Sequence, residues 1–223
     1  TYIVVLKNES VSDADLDAQP SYQGRGQVMR SAVARLVGKY GVGNEALDKV
    51  YSKALKGFSA RLNAKQLNDL RNDPNVVLIE RDQIIALRRP GGGGSTQPTQ
   101  ETPWGITRVG GSVNYTGTAV AWVIDTGIDI DHPDLNVDAA RGFNAFTSGR
   151  DAGAPDDGNG HGTHVAGTIA AINNSIGVVG VAAGAKVIPI KVLDSRGSGS
   201  NSGVIAGVDF VAANGKPGDV ATM

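Results

Sequence analysis

The residues with the clearest chemical potential lie between Asp125 and His164. His161 sits in Gly158-Asn159-Gly160-His161-Gly162-Thr163-His164, with an apolar run from Val165 to Ile172 directly after it. That pattern predicts a tight turn opening a helix, with His161 near the helix start. The flanking glycines leave room for backbone or substrate to approach the ring. An imidazole placed there can move protons near neutral pH. Upstream, Ala119-Val120-Ala121-Trp122-Val123-Ile124 ends at Asp125-Thr126-Gly127. An ionisable residue just past the carboxyl end of a buried strand is where open α/β sheets place function.

Several chemistries fit parts of this pattern. Asp125-Thr126-Gly127 is a word used by aspartic proteases, but that chemistry needs two carboxylates sharing a proton. The chain has no second copy of the word, so a homodimer would be required. His161 and His164, three apart, could hold zinc. The Glu that metalloprotease helices place beside the first histidine is replaced by Gly162. Gly197-Ser198-Gly199 could open a nucleotide loop, but the third glycine, Gly203, falls one residue late for the dinucleotide fingerprint. The bland reading of the histidine stretch is a capped helix with polar surface histidines.

The elements that position these residues follow from periodicity. The apolar run before Asp125 reads as a strand buried on both faces. Val178 to Ala182 and Lys186 to Leu193 read as further strands, and Ser202 to Asn214 as a helix with Val204, Ile205, Val208 and Val211 on one side. Val220 onward reads as a strand beginning. Alternation of strand and helix predicts an α/β class with a doubly wound, mostly parallel sheet. Residues 1–88 read differently: strand at Tyr2–Leu6, helix over 27–40, strands over 49–55 and 58–62, helix over 63–70 capped by Asn63, strand over 75–80. The order β-α-β-β-α-β is the split βαβ, ferredoxin-like α+β arrangement. Residues 8–26 read as loop, and nothing in this unit looks catalytic.

Charge and composition separate the same two units. Residues 1–90 hold 14 basic and 10 acidic side chains, and residues 91–223 hold 7 and 12. Of 31 glycines, 25 follow residue 90. A net charge of -1 points neither to nucleic acid nor to an anionic membrane, and no apolar run reaches membrane-spanning length. The absence of cysteine excludes disulfides, thiol catalysis and cysteine-based zinc sites. Between the units, residues 89–101 are rich in Gly and Pro and read as a linker, the kind of tract a protease cuts. The expected boundaries are therefore 1–88, 89–101 and 102–223.

Two groups of words carry a family resemblance. Tyr2-Ile3-Val4, Ala54 through Leu62 (ALKGFSARL) and Asp73-Pro74-Asn75-Val76 resemble the propeptide of subtilisin-like proteases. Val123 through Asp129, His132-Pro133-Asp134-Leu135 and Gly160 through Thr168 resemble the catalytic domain of the same family. The resemblance implies a secreted serine endopeptidase zymogen with a partial subtilisin fold. Subtilisin itself is the standard worked case of the Asp-His-Ser triad, so the roles are carried over rather than derived. Asp125 would orient and support His161, and His161 would take the proton from a serine and return it to the leaving amine. His164 is expected to pack structurally. Gly197, Ser198 and Gly199 match the segment that pairs with extended substrate, while Leu193, Asn201 and Val204 would shape the P2 and P4 pockets.

The resemblance also implies calcium. Asn173 through Val178 (NNSIGV) matches the family's calcium loop. The implied ligands are the side chains of Gln100, Asp134 and Asn174 and the carbonyls of Ile172, Ile176 and Val178, which suits a cation that takes six to eight oxygens. Gln100 follows the linker, so the site would couple calcium to release of a new N-terminus. The first unit would act as intramolecular chaperone and inhibitor, docking on the catalytic domain, with maturation between Leu87 and Gly94. The family's serine segment has no match in residues 1–223, so this polypeptide alone is expected to be inactive, its other half supplied elsewhere, even as a separate chain. Proteins or peptides are the expected substrates, with no nucleic-acid or membrane partner. A stand-alone inhibitor or chaperone, and a metal-dependent hydrolase using His161 and His164, are the alternatives.

Overall fold

In the computed structural model, residues 1–87 and 98–223 are described. The expected linker for the most part, and the expected maturation tract beyond Leu87, lie outside these residues. In chain order the principal elements are β1 (Tyr2–Leu6), α1 (Tyr22–Gly38), β2 (Leu47–Tyr51), β3 (Gly57–Ala60), α2 (Ala64–Arg71), β4 (Val76–Arg81), β5 (Ile84–Ala86), β6 (Ala121–Asp125), α3 (His161–Ala170), β7 (Lys186–Lys191), β8 (Ser198–Ser200), α4 (Asn201–Asn214) and β9 (Val220–Thr222). They form two compact units. One holds Thr1–Ile84 with Ser200–Asn214, and the other Ile85–Gly199 with Gly215–Met223. The grouping of α4 with the first unit differs from the boundaries drawn on composition.

The first unit is an antiparallel sheet in the order β2-β3-β1-β4, with Val4 opposite both Phe58 and Ile79. Val4, Met29, Val33, Val37, Phe58 and Leu70 are fully buried in its core. α1 starts at Tyr22, five residues before the apolar periodicity begins, because the Ser21 side chain accepts the Gly24 N–H and caps the helix. Within the stretch expected to be loop, a short helix forms over Asp13–Asp17 with Ser12 as its cap. α2 carries the expected Asn63 cap as a full capping box with Gln66. β2 ends at Tyr51 instead of Leu55, since the N–H groups of Ser52, Lys53 and Ala54 go to the Asp209 carboxylate.

α4 departs from its expected polarity. Its buried residues are Ser202, Gly203, Ala206, Gly207 and Asp209, a face of small residues and one carboxylate. Val204, Ile205 and Val208 are half-buried. Small side chains let backbone come close, and hydrogen bonding makes the buried carboxylate tolerable.

The second unit is α/β, built on a parallel sheet. β9, β6 and β7 lie side by side, and β7 also pairs with short strands at Asn136–Val137 and Phe143–Asn144. All five residues of β6 are buried. One core cluster of this unit joins Ala121, Val123, Ile128, Ala166, Ala170 and Val187. Trp122 lies fully buried, donates from Nε1 to Asp219 and carries Arg141 5.0 Å over its ring. The strand expected over Val178–Ala182 shrinks to Ala182–Ala183, paired with Val113–Asn114. Its N–H groups are spent locally. Val178 donates to Asp134, Val179 to Glu101, Gly180 to Ala171 and Val181 to Thr168.

Candidate active site

β6 and α3 together build the core of the site. β6 delivers Asp125 at its carboxyl end, beside Lys191 of β7 in register. The backbone then turns through Gly127, and Asp125 stays buried. α3 begins at His161 behind Gly160, whose φ of 102° suits glycine. Gly162 lies so close to the first strand's turn that a Cβ there would collide with the Gly127 carbonyl oxygen. This close approach brings the imidazole onto the carboxylate. His161 Nδ1 lies 2.8 Å from both Asp125 oxygens. A carboxylate only accepts, so Nδ1 carries the proton and Nε2 is the basic nitrogen.

Asp125 is held from several directions. Its Oδ1 also accepts the Thr126 N–H at 2.7 Å, and its carbonyl accepts the N–H groups of Val192 and Leu193. Lys191, 2% exposed, donates from Nζ to the Thr126 carbonyl and lies 3.7 Å from Asp151. Asp157 went unnoticed in the sequence. It accepts from Thr126 Oγ1, from the N–H groups of Asn159, Gly160 and Thr163, and from Thr163 Oγ1. Burial works against its charge, but the bonds from Gly160, Thr163 and Asn159 outweigh it and hold the carboxyl below its usual range.

His164 is exposed and does not pack. It lines an open apolar hollow of about 740 Å3 with Trp104, Gly167 and Val181, while His161 Nδ1 faces Asp125. Among the described residues, no group of three His, Cys, Asp or Glu side chains is placed to hold a metal ion.

The rim beside this pair is Leu193 and Gly197–Gly199. Leu193 is buried. Asp194 fixes the rim by accepting the N–H groups of Arg196 and Ser198 and donating its own N–H to the Ser198 carbonyl. Burial pushes the Asp194 carboxyl up, but the Ser198 and Arg196 hydrogen bonds overcome this and leave it below the usual range. An extended segment lies on this rim: Leu87 N–H donates to the Gly197 carbonyl at 2.9 Å, and Ile85 and Leu87 are half-buried while Ala86 is exposed. Asn201 and Val204 are not grouped with the rim. They belong to the first unit and line a cavity of about 300 Å3 with Ile3, Val5, Leu78, Glu80 and Ile205.

Two of the expected calcium ligands, Asn174 and Val178, meet buried Asp134. Its Oδ1 accepts from Asn174 Nδ2 at 2.7 Å and its Oδ2 from the Val178 N–H at 3.3 Å. Gln100 Oε1 accepts the Asn174 N–H, and Asn174 Oδ1 accepts the Ile176 N–H. Thr99 bridges to Ile176, Glu101 bridges to Val178, and the Ile172 N–H donates to the Asp134 carbonyl. The expected ligand set is all oxygen, with one carboxylate and two amides, as a hard cation requires, but here Asn174 and Val178 offer N–H groups to Asp134 and the amide oxygens of Gln100 and Asn174 accept backbone N–H groups.

Comparison with known proteins follows this geometry. The profile of the subtilase family matches residues 116–221, and that of peptidase inhibitor I9 matches residues 1–88. The chain belongs to the subtilase family. It is 36% identical over 232 residues to alkaline serine exoprotease A of Vibrio alginolyticus, covering 100% of this chain and 40% of that protein. It is 42% identical to subtilisin E of Bacillus subtilis, covering 73% of this chain and 40% of that protein. It is 37% identical to an extracellular serine proteinase of a Thermus species, covering 96% and 51%. The chain thus spans about half the length, or less, of these relatives. No helix among the described residues is long and apolar enough to cross a membrane.

Proposed function

We propose that this subtilase chain is part of a secreted serine endopeptidase zymogen that hydrolyses peptide bonds with an Asp-His-Ser triad. The reading rests on one observation: His161 Nδ1 within 2.8 Å of both oxygens of a buried Asp125. Asp125 holds the tautomer with Nε2 free to act as base, and it stabilises the imidazolium that forms. His161 takes the proton from a serine outside residues 1–223 as that oxygen attacks the carbonyl, then returns it to the leaving amine. The other part of the catalytic domain is the partner this requires. Gly197 and its neighbours offer backbone to an extended peptide, as the bond from Leu87 illustrates. Leu193 contributes to the P2 and P4 pockets. Asn201 and Val204 contribute to the P2 and P4 pockets once residues 1–88 are released.

In this reading residues 1–88 inhibit the catalytic domain and assist its folding, which the I9 match supports. Gln100, Asp134 and Asn174, with the carbonyls of Ile172, Ile176 and Val178, hold one calcium ion. Held there, the ion would supply the positive charge that offsets Asp134, and Gln100, Asp134 and Asn174 would tie their three segments together through it. The extracellular relative supports secretion. The decisive experiment is labelling of the full-length protein with a serine-directed fluorophosphonate. Labelling that disappears in His161→Ala supports the triad, and insensitivity to the reagent returns the reading to a metal hydrolase. The I9 match also supports a second reading, a stand-alone inhibitor. Incubating the 223-residue chain with a mature subtilisin separates the two, because failure to inhibit rules out the inhibitor.

A further inference from the structure

Two side chains beside the Asp125–His161 pair have no part in the proton transfers. Thr126 follows Asp125 and is fully buried. Its Oγ1 donates to Asp157 at 2.8 Å and accepts the N–H of Gly162, the residue after His161, at 2.9 Å. One hydroxyl is therefore clamped between the neighbour of the acid and the neighbour of the base. Asp157 completes the clamp through the N–H groups of Gly160 and Thr163.

We propose that Thr126 and Asp157 are positioning residues that hold the His161 ring against Asp125. The proposal rests on the triad reading above. α3 starts at Gly160 with no side-chain cap of its own, so its first turn depends on a carboxylate supplied from before it. His161 occupies that first turn. A helix rotates 100° and rises 1.5 Å per residue, so slippage of the first turn by part of a residue carries the imidazole off the carboxylate. Asp157 fixes the turn to the preceding loop, and Thr126 Oγ1 fixes it to β6, the strand that carries the acid. The ionisable groups around the pair are Asp157 from the loop, Lys191 of β7 on the Thr126 carbonyl, and Asp151 beside Lys191. Of these, only Asp157 touches both sides of the clamp.

The test reads the His161 Nδ1 proton by NMR in the 223-residue chain. In the parent, a proton shared with Asp125 resonates far downfield of the amides. In Asp157→Asn and in Thr126→Val it is lost, or exchanges with water about tenfold faster, the factor for losing one hydrogen bond to a charged group. Thr126→Ser and Thr163→Ser, which keep their hydroxyls, retain it. Amide resonances of β6 and β7 report that each variant is folded, and Thr126→Val carries the test should Asp157→Asn unfold. Variants whose downfield proton keeps its shift and exchange rate overturn the proposal while leaving the triad reading intact. A parent chain without the downfield proton overturns both.

Discussion

Asp209 in the first unit and Asp125 in the second are both buried carboxylates, yet they do opposite work. Asp209 is fully buried on α4 and accepts three backbone N–H groups, those of Ser52, Lys53 and Ala54, and the Tyr22 phenol also hydrogen-bonds to it. Backbone amides do not titrate and burial holds the Tyr22 phenol protonated, so this carboxylate fastens a loop and moves no proton near neutral pH. Asp82 does the same in reverse, accepting Ser202 N–H and Oγ at the start of α4. Asp125 spends one bond on a backbone N–H and meets an imidazole with the rest. The imidazole titrates, so the same residue type becomes part of a proton-transfer device. What a buried carboxylate does is set by the donor it faces.

The largest test of that contrast is Asp125→Asn in the full-length enzyme. Activity against a peptide amide is expected to fall by about 10^4, a magnitude carried over from serine-protease triads. Asp209→Asn is expected to leave kcat unchanged once residues 1–88 have been removed. Asp209→Ala should instead destabilise the first unit by about 2 kcal/mol in urea unfolding, since it leaves three backbone N–H groups without their acceptor, one of them on buried Ser52. A negligible loss there would erase the contrast. Gly162→Ala should cost about 2 kcal/mol, because its methyl meets the Gly127 carbonyl, and the downfield His161 proton should vanish with it. Asp82→Ala removes a helix cap and should cost about 1 kcal/mol.

The smallest effects concern pH, where buried phenols of the first unit act at the alkaline end and hydrogen-bonded carboxyls, including two of the second unit, at the acid end. Burial, then the Asp209 charge, raises the Tyr22 phenol, and burial raises that of Tyr51. Raised groups stabilise below their unfolded value and lose this as pH rises, so first-unit stability should fall above about pH 10. Asp157 and Asp194 are lowered in the second unit. Their contribution is present above the unfolded value of about 3.9 and is lost as pH falls through the lower folded values. Unfolding followed by tryptophan fluorescence against pH reads the acid limb, because Trp104 and Trp122 both lie in the second unit. Hydrogen exchange of first-unit amides reads the alkaline limb.

The sequence by itself determined the split βαβ order, the strand ending at Asp125, the helix opening at His161 and the family. Local signals suffice for these: periodicity, caps and contiguous words of residues. Tertiary structure decided what depends on partners distant in sequence. The apolar run at Val178–Val181 is loop because Asp134, Glu101, Thr168 and Ala171 claim its N–H groups. β2 stops at Tyr51 because Asp209, more than 150 residues away, takes the next three. The role of Asp157 was invisible for the same reason. Its residue type is common in glycine-rich turns, and only the folded chain sets it between Thr126 and the first turn of the histidine helix.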